Sequence, residues 1–323
     1  MTADVPVGAA YVKMVAMACS PRRARRALIA ILGIAVLLAA CGSDPARPTR
    51  GSTFPSVQPA TTFTEIPSPP GAYRDNGADH WYRAPAANGH DDELGVYLPE
   101  TPISTPTPTV LVLHGGDGLR RSHEDLARAY ADAGFIGIAG CWFDDPDAPL
   151  IDGAVSCSGG PEFTGTEASA VADVDLLMAA VKQVPGVDPS RLAIVGHSYG
   201  GAIALMRASD DGATEPVVAA SAPLAAKPAC CPVRRGDRFP IDHVAGISGP
   251  VLLVHGDADR IVPVGQVKAF VAARPGTEVR YYAKPAGHAF PWQMQQYPGA
   301  PEGTTFAAQF VADSVAWLKL QFS

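Results

Sequence analysis

The chain has 323 residues, 47% of them hydrophobic, which is enough to bury a core of enzyme size within one domain. Its formal net charge is −7 and becomes −11 once residues 1–40 are set aside, because five basic residues and one acidic residue leave with them. Such an acidic surface argues against nucleic acid as a partner, since phosphate binding needs a positive field.

At the N-terminus, Arg22, Arg23, Arg25 and Arg26 precede an apolar run over 27–38 and then small residues, the layout of a secretory signal. The apolar run is too short to span a bilayer comfortably. Leu38-Ala39-Ala40-Cys41 resembles the lipobox of bacterial lipoproteins, in which the cysteine is acylated and the chain is cut just before it. The reading is a signal peptide over 1–40, with Cys41 as the lipidation site that anchors an exported protein at the membrane of the cell envelope. Arg25-Arg26 leaves the general and the twin-arginine export routes both open, and Met14 and Met17 are alternative starts. Residues 41–71 are rich in Pro, Ser and Thr and read as an extended tether, which leaves 72–323 as the catalytic domain.

Within that domain short apolar runs alternate with amphipathic stretches, the signature of helices crossing between parallel strands. Strands are predicted over 94–98, 109–114, 136–141, 192–195, 217–221, 251–255 and 279–283. Helices are predicted over 122–133, 167–183, 200–208, 264–273 and 306–320. The runs Val110-Leu111-Val112-Leu113 and Val251-Leu252-Leu253-Val254 are continuously apolar, as expected of strands covered on both faces. The fold class is α/β, with a mostly parallel central sheet and helices on both sides. Many unrelated functions use that architecture, so function has to come from the motifs.

The strongest motif is Gly196-His197-Ser198-Tyr199-Gly200, set between a predicted strand and a predicted helix. This is the nucleophile-elbow pattern of α/β-hydrolases: Ser198 stands on a sharp turn, and glycines two residues to either side avoid collision with neighbouring backbone. A serine hydroxyl is a weak nucleophile at neutral pH and needs a histidine base, itself oriented by a carboxylate. In this fold acid and base follow the serine in chain order. His288, in Ala286-Gly287-His288-Ala289-Phe290 after the last predicted strand, is expected to be the base. His255 is expected to brace a turn, and His243 to lie at the surface. Gly256-Asp257-Ala258-Asp259-Arg260-Ile261-Val262-Pro263 offers two acids; Asp259 is preferred, with Asp257 as the alternative. The oxyanion that forms on attack at an ester needs preorganised N–H donors. These are expected from the amide of Tyr199 and from the loop His114-Gly115-Gly116-Asp117-Gly118, with Gly116 favoured and Asp117 behind it.

Through the elbow, the segment 251–264 and the stretch 279–290, residues 72–320 resemble the dienelactone hydrolase branch of the α/β-hydrolases. The resemblance implies a compact domain without a large lid and hydrolysis through an acyl-enzyme. Dienelactone hydrolases proper use cysteine as nucleophile, where this chain has Ser198. They carry a glutamate where Gly115 stands and an arginine shortly after the catalytic histidine, where this chain has Pro291-Trp292. Asp259-Arg260-Ile261-Val262-Pro263-Val264 also resembles the matching segment of secreted polyester hydrolases and lipases. A carboxylesterase acting on a small-molecule ester is therefore the expected function. A dienelactone hydrolase-like, peptidase or acyltransferase activity on the same residues, or a non-catalytic binding lipoprotein, are the alternatives.

Trp142, Phe290 and Trp292 are expected to line an apolar acyl pocket, with Phe143 beside Trp142 and a Pro/Gly/Asp-rich loop over 144–166 facing the substrate. Cys141, Cys157, Cys230 and Cys231 form an even set that fits disulfides in an oxidising compartment, their connectivity open. No Cys-x-x-Cys or His-x-x-x-His spacing calls for a metal, and no cofactor is expected.

Overall fold

The computed structural model describes residues 63–68, 77–86, 91–101, 106–116, 118–142, 167–210, 212–225, 238–292 and 303–323. All of them lie in the compact unit Pro59–Ser323. Residues 1–40, Cys41, Asp117, Phe143, the loop 144–166, Cys157, Cys230 and Cys231 lie outside the described residues.

Among the described residues, nine strands form one sheet. In chain order they are β1 (Thr64–Ile66), β2 (His80–Pro85), β3 (Asp91–Tyr97), β4 (Thr107–Leu113), β5 (Ile136–Cys141), β6 (Val187–His197), β7 (Val217–Ala220), β8 (Val251–Gly256) and β9 (Glu278–Tyr282). Their order across the sheet is β1-β2-β3-β5-β4-β6-β7-β8-β9. The first three join antiparallel up to β5, and from β5 through β9 every pairing is parallel. The helices among the described residues are α1 (Arg121–Asp132), α2 (Glu167–Val181), α3 (Tyr199–Arg207), α4 (Val264–Ala273) and α5 (Phe306–Gln321).

Each predicted strand and helix is present to within a few residues. The strands β1 and β2 are additions. β1 is three largely exposed residues, and β2 places Trp81 and Tyr82 among His80, Arg83 and Pro85, so neither presents an apolar run. Pairing is what makes them strands, β2 to β3 and β1 to β2, and it brings Thr64–Ile66 into the sheet instead of the tether.

The continuous apolar runs are explained by two cores, one on each face. Along β4, Leu111 and Leu113 join the core under α2, α3 and α4, while Val110 and Val112 join the core under α1 and α5. Alternate side chains leave a strand on opposite faces, so a strand buried on both sides has no polar phase. Helix α2 turns Val171, Val174, Leu177, Met178 and Val181 into the first core, and α1 turns Leu126, Ala127 and Tyr130 into the second. Helix α5 starts where the Thr305 hydroxyl accepts from the Ala308 amide at 3.1 Å. Among the described residues, no helix is long and apolar enough to cross a membrane.

Helix α1 also buries Glu124, at 1% exposure, beside the Tyr97 phenol. Burial pushes its carboxyl up from 4.5 to about 7. The folded chain therefore holds a proton that the unfolded chain has released between about 4.5 and about 7, and stability falls as pH rises through that interval. Glu124→Gln is expected to remove this loss, worth up to about 3 kcal/mol. Thermal melts should show the variant several degrees more stable than wild type at pH 8.5 and close to it at pH 4.5.

Candidate active site

The strand order reverses at β4, which has β5 on one side and β6 on the other. Ligands of open α/β sheets bind outside the carboxyl ends of strands at such a point. Leu113 pairs with both Gly140 and Gly196, so His114, Cys141 and His197 emerge level at this edge.

Ser198 follows, with φ 51° and ψ −120°, a conformation that L residues rarely adopt. Its amide donates to the Ala220 oxygen at 2.8 Å, which ties the turn to β7. The flanking glycines are required by space. A Cβ on Gly196 would lie 2.5 Å from backbone atoms of Gly200, and one on Gly200 would lie 2.4 Å from the His114 oxygen. This close approach sets the N-terminus of α3 against the end of β4 and hence beside the Gly115-Gly116 loop. Tyr199 is the first residue of α3, so its amide has no acceptor within the helix.

His288 Nε2 stands 3.0 Å from Ser198 Oγ, and its Nδ1 stands 2.9 Å from Asp259 Oδ2. The carboxylate of Asp259 has no exposed surface, and the ring of His288 is 7% exposed. Asp259 Oδ1 accepts from the amides of Ile261 and Val262, both at 2.8 Å. Burial works against the Asp259 charge, but the bond from His288 and the two amides outweigh it and hold the carboxyl below its ordinary range. Asp257 is exposed and braces the turn through its amide, which donates to the Tyr282 oxygen at 2.8 Å. His255 donates from Nε2 to the Val262 oxygen at 3.0 Å and comes within 3.6 Å of Asp259. Burial pushes the His255 pKa down against the pull of Asp259. His243 accepts from Arg238 at 2.9 Å, away from this group.

His114 and His197 join the site in ways the motif reading does not foresee. His114 Nδ1 donates to the Gly115 oxygen at 2.9 Å, and Nε2 accepts from the Trp142 amide at 3.4 Å. The Gly118 amide reaches the same Gly115 oxygen at 3.2 Å. Because C=O and N–H point oppositely across a trans peptide, pinning the Gly115 oxygen also sets the direction of the Gly116 N–H. Each histidine closes a strand, but strand ends carry no sequence signal for what the side chain meets.

The expected pocket walls divide. Phe290 has no exposed surface and packs edge-on against Tyr282 and Phe310 at 5.0 and 5.7 Å, so it belongs to the core instead of a substrate surface. Trp142, 1% exposed, lies under the half-buried ring of Tyr199, stacked at 5.8 Å. Tyr199 thereby presents the surface expected of Trp142. Trp292 is half-buried between His123 at 4.7 Å and His197 at 5.3 Å. Among the described residues, no group of three or more His, Cys, Asp or Glu is placed to hold a metal ion.

Gly200→Ala is expected to cost about 2–3 kcal/mol, because the atoms it meets are backbone and cannot move aside alone. Gly116→Ala, with nothing within 4 Å of the added carbon, is expected to change stability by no more than about 0.5 kcal/mol. Denaturant melts of the two variants beside wild type check both values.

Known proteins are similar to this chain in sequence or in fold. A curated protein of Methylorubrum extorquens, provisionally named a carboxymethylenebutenolidase, is 28% identical over 196 residues, which is 57% of this chain and 64% of the relative's length. A protein of Yersinia pestis with the same provisional name is 28% identical over 62% of this chain and 74% of its own length. Among solved structures, a dienelactone hydrolase-like promiscuous phosphotriesterase from metagenomic libraries aligns with TM-score 0.55 and 22% identity, over 74% of this chain and 97% of its own. An esterase of Thermogutta terrifontis with bound propionate aligns with TM-score 0.56 and 17% identity, over 77% and 96%. The profile of the Dienelactone hydrolase family matches residues 94–320, well over half of the chain, and the chain belongs to that family of α/β-hydrolases.

Proposed function

We propose that the protein is a serine carboxylesterase that cleaves small carboxylic esters through an acyl-enzyme. The observation that carries this reading is the hydrogen-bonded line from Ser198 Oγ through His288 to the buried Asp259, at 3.0 and 2.9 Å. Ser198 Oγ attacks the ester carbonyl while His288 Nε2 takes its proton, and Asp259 orients the ring and stabilises the imidazolium. The amides of Gly116 and Tyr199 receive the developing oxyanion. His288 then gives its proton to the departing alkoxide, and in the second half of the cycle it draws a proton from the water that releases the acid. The turn after His288 carries Phe290, Pro291 and Trp292 and no cation, which favours a neutral ester over a substrate held by its own carboxylate.

The proposal extends to location. Cys41 in Leu38-Ala39-Ala40-Cys41 is the acylated N-terminal residue of the mature protein, which sits on the envelope membrane at the end of the Pro-rich tether. An oxidising compartment is supported by Cys141, which is buried at the end of β5 and is not a free thiol.

Ser198→Ala is expected to lower hydrolysis of p-nitrophenyl butyrate by at least about 1000-fold and to abolish fluorophosphonate labelling, with the fold retained. Undiminished labelling of the variant would sink the nucleophile assignment. Cys41→Ser, in a bacterial host, is expected to move the protein from the detergent phase to the aqueous phase of a Triton X-114 partition. Partition of the variant equal to that of wild type would remove the lipid anchor.

A further inference from the structure

His197 precedes Ser198 at the end of β6, and its ring is buried. Its Nε2 lies 3.0 Å from the main-chain oxygen of His288. A carbonyl only accepts, so Nε2 carries the hydrogen and donates it. The two rings stand 5.1 Å apart, and the edge of Trp292 braces the His197 ring at 5.3 Å.

Topology makes such a bond necessary. His288 stands on the loop after β9, and β7 and β8 separate β9 from β6. Three steps of about 4.8 Å leave roughly 14 Å between the root of that loop and the nucleophile. Near its root the loop is held by the Ala258 amide, which donates to the Ala286 oxygen at 2.8 Å, with Gly256 packed against the same oxygen. At its far end the ring of His288 is held by Asp259 and Ser198, and its main chain by His197.

We infer that His197 is a positioning residue for the base, clamping the His288 backbone to the nucleophile elbow through the whole reaction cycle. This rests on the hydrolase reading above. The bond between His288 and Ser198 Oγ is lost once that oxygen is acylated. The bond from His197 uses no atom that changes during the reaction, so it keeps His288 Nε2 over the acyl group while water attacks. The elbow that carries His197 is itself fixed, by the Ser198 amide on the Ala220 oxygen and by the packing of Gly200 on β4. The clamp therefore transmits a rigid position.

Three variants test this. In His197→Gln the amide nitrogen reaches the place of Nε2, in His197→Asn it falls one methylene short, and in His197→Leu the donor is absent. Steady-state hydrolysis of p-nitrophenyl butyrate is expected to keep kcat within about threefold in His197→Gln. In His197→Asn and His197→Leu, kcat should fall about 10- to 100-fold with KM within about threefold, as for a misplaced catalytic group. A pre-steady-state burst of p-nitrophenol in the latter two is expected to show deacylation as the step most slowed. Should His197→Leu fail to fold, the contrast between Gln and Asn decides. Full kcat in His197→Asn, or a loss in His197→Gln as deep as that in His197→Asn, overturns the inference. An active Ser198→Ala overturns the hydrolase reading itself; an inactive Ser198→Ala beside a fully active His197→Asn overturns only the clamp.

Discussion

The α-carbon of Gly200 lies so close to the carbonyls of Leu113 and His114 that no side chain fits between them. This contact, with its counterpart at Gly196, locks the first turn of α3 onto the end of β4. Everything at the site is placed relative to it. It holds Ser198 in its sparsely populated backbone conformation, and it brings the first amides of α3 alongside the Gly115-Gly116 loop. It also aims the His197 ring at the loop that carries His288. The sheet supplies the level edge, and the elbow converts that edge into a site.

Histidines around that edge divide by the partners of their ring nitrogens. His114 donates to the Gly115 oxygen, His197 to the His288 oxygen and His255 to the Val262 oxygen. A carbonyl partner commits a nitrogen to carrying hydrogen, and each of these rings acts as a brace between two loops. In His288 the ring lies between a carboxylate and a hydroxyl. The carboxylate orients the ring towards the hydroxyl, which is the placement the proposed base needs. One residue type thus builds the scaffold of the site and its proposed chemistry, and the difference lies entirely in what each ring faces.

Structures related in fold include an esterase and a phosphotriesterase. One fold hosts more than one chemistry, so the likeness in fold does not by itself choose the substrate. Selection between substrates belongs to the surfaces around the site. Here those surfaces include the Tyr199 ring stacked on Trp142 and the half-buried Trp292, both apolar, with no cation in the turn that follows His288. That composition is the physical basis for the neutral ester proposed above.

Much of the molecule was legible in the amino-acid order. The parallel strands β4 to β9 and the helices between them follow from apolar periodicity, because a strand with a core on each face leaves an unbroken run such as Val110-Leu111-Val112-Leu113. Ser198, Asp259 and His288 stood out as candidates because an elbow needs glycines at set offsets and because acid and base follow it in fixed chain order, and the fold brings the three side chains within hydrogen-bond distance. The strands β1 and β2 were not legible, since the pairing of β1 to β2 and of β2 to β3, and not their own composition, makes them strands. Nor were the roles of the aromatic residues: Phe290 and Tyr199 both read as apolar, and only packing decides that the first faces Phe310 and the second covers Trp142. His255 was expected to brace a turn, but the bracing roles of His114 and His197 were hidden, because their partners are main-chain oxygens, which every residue carries and no motif encodes. Local sequence determines which groups are chemically able to act, and the tertiary structure decides which of them meet.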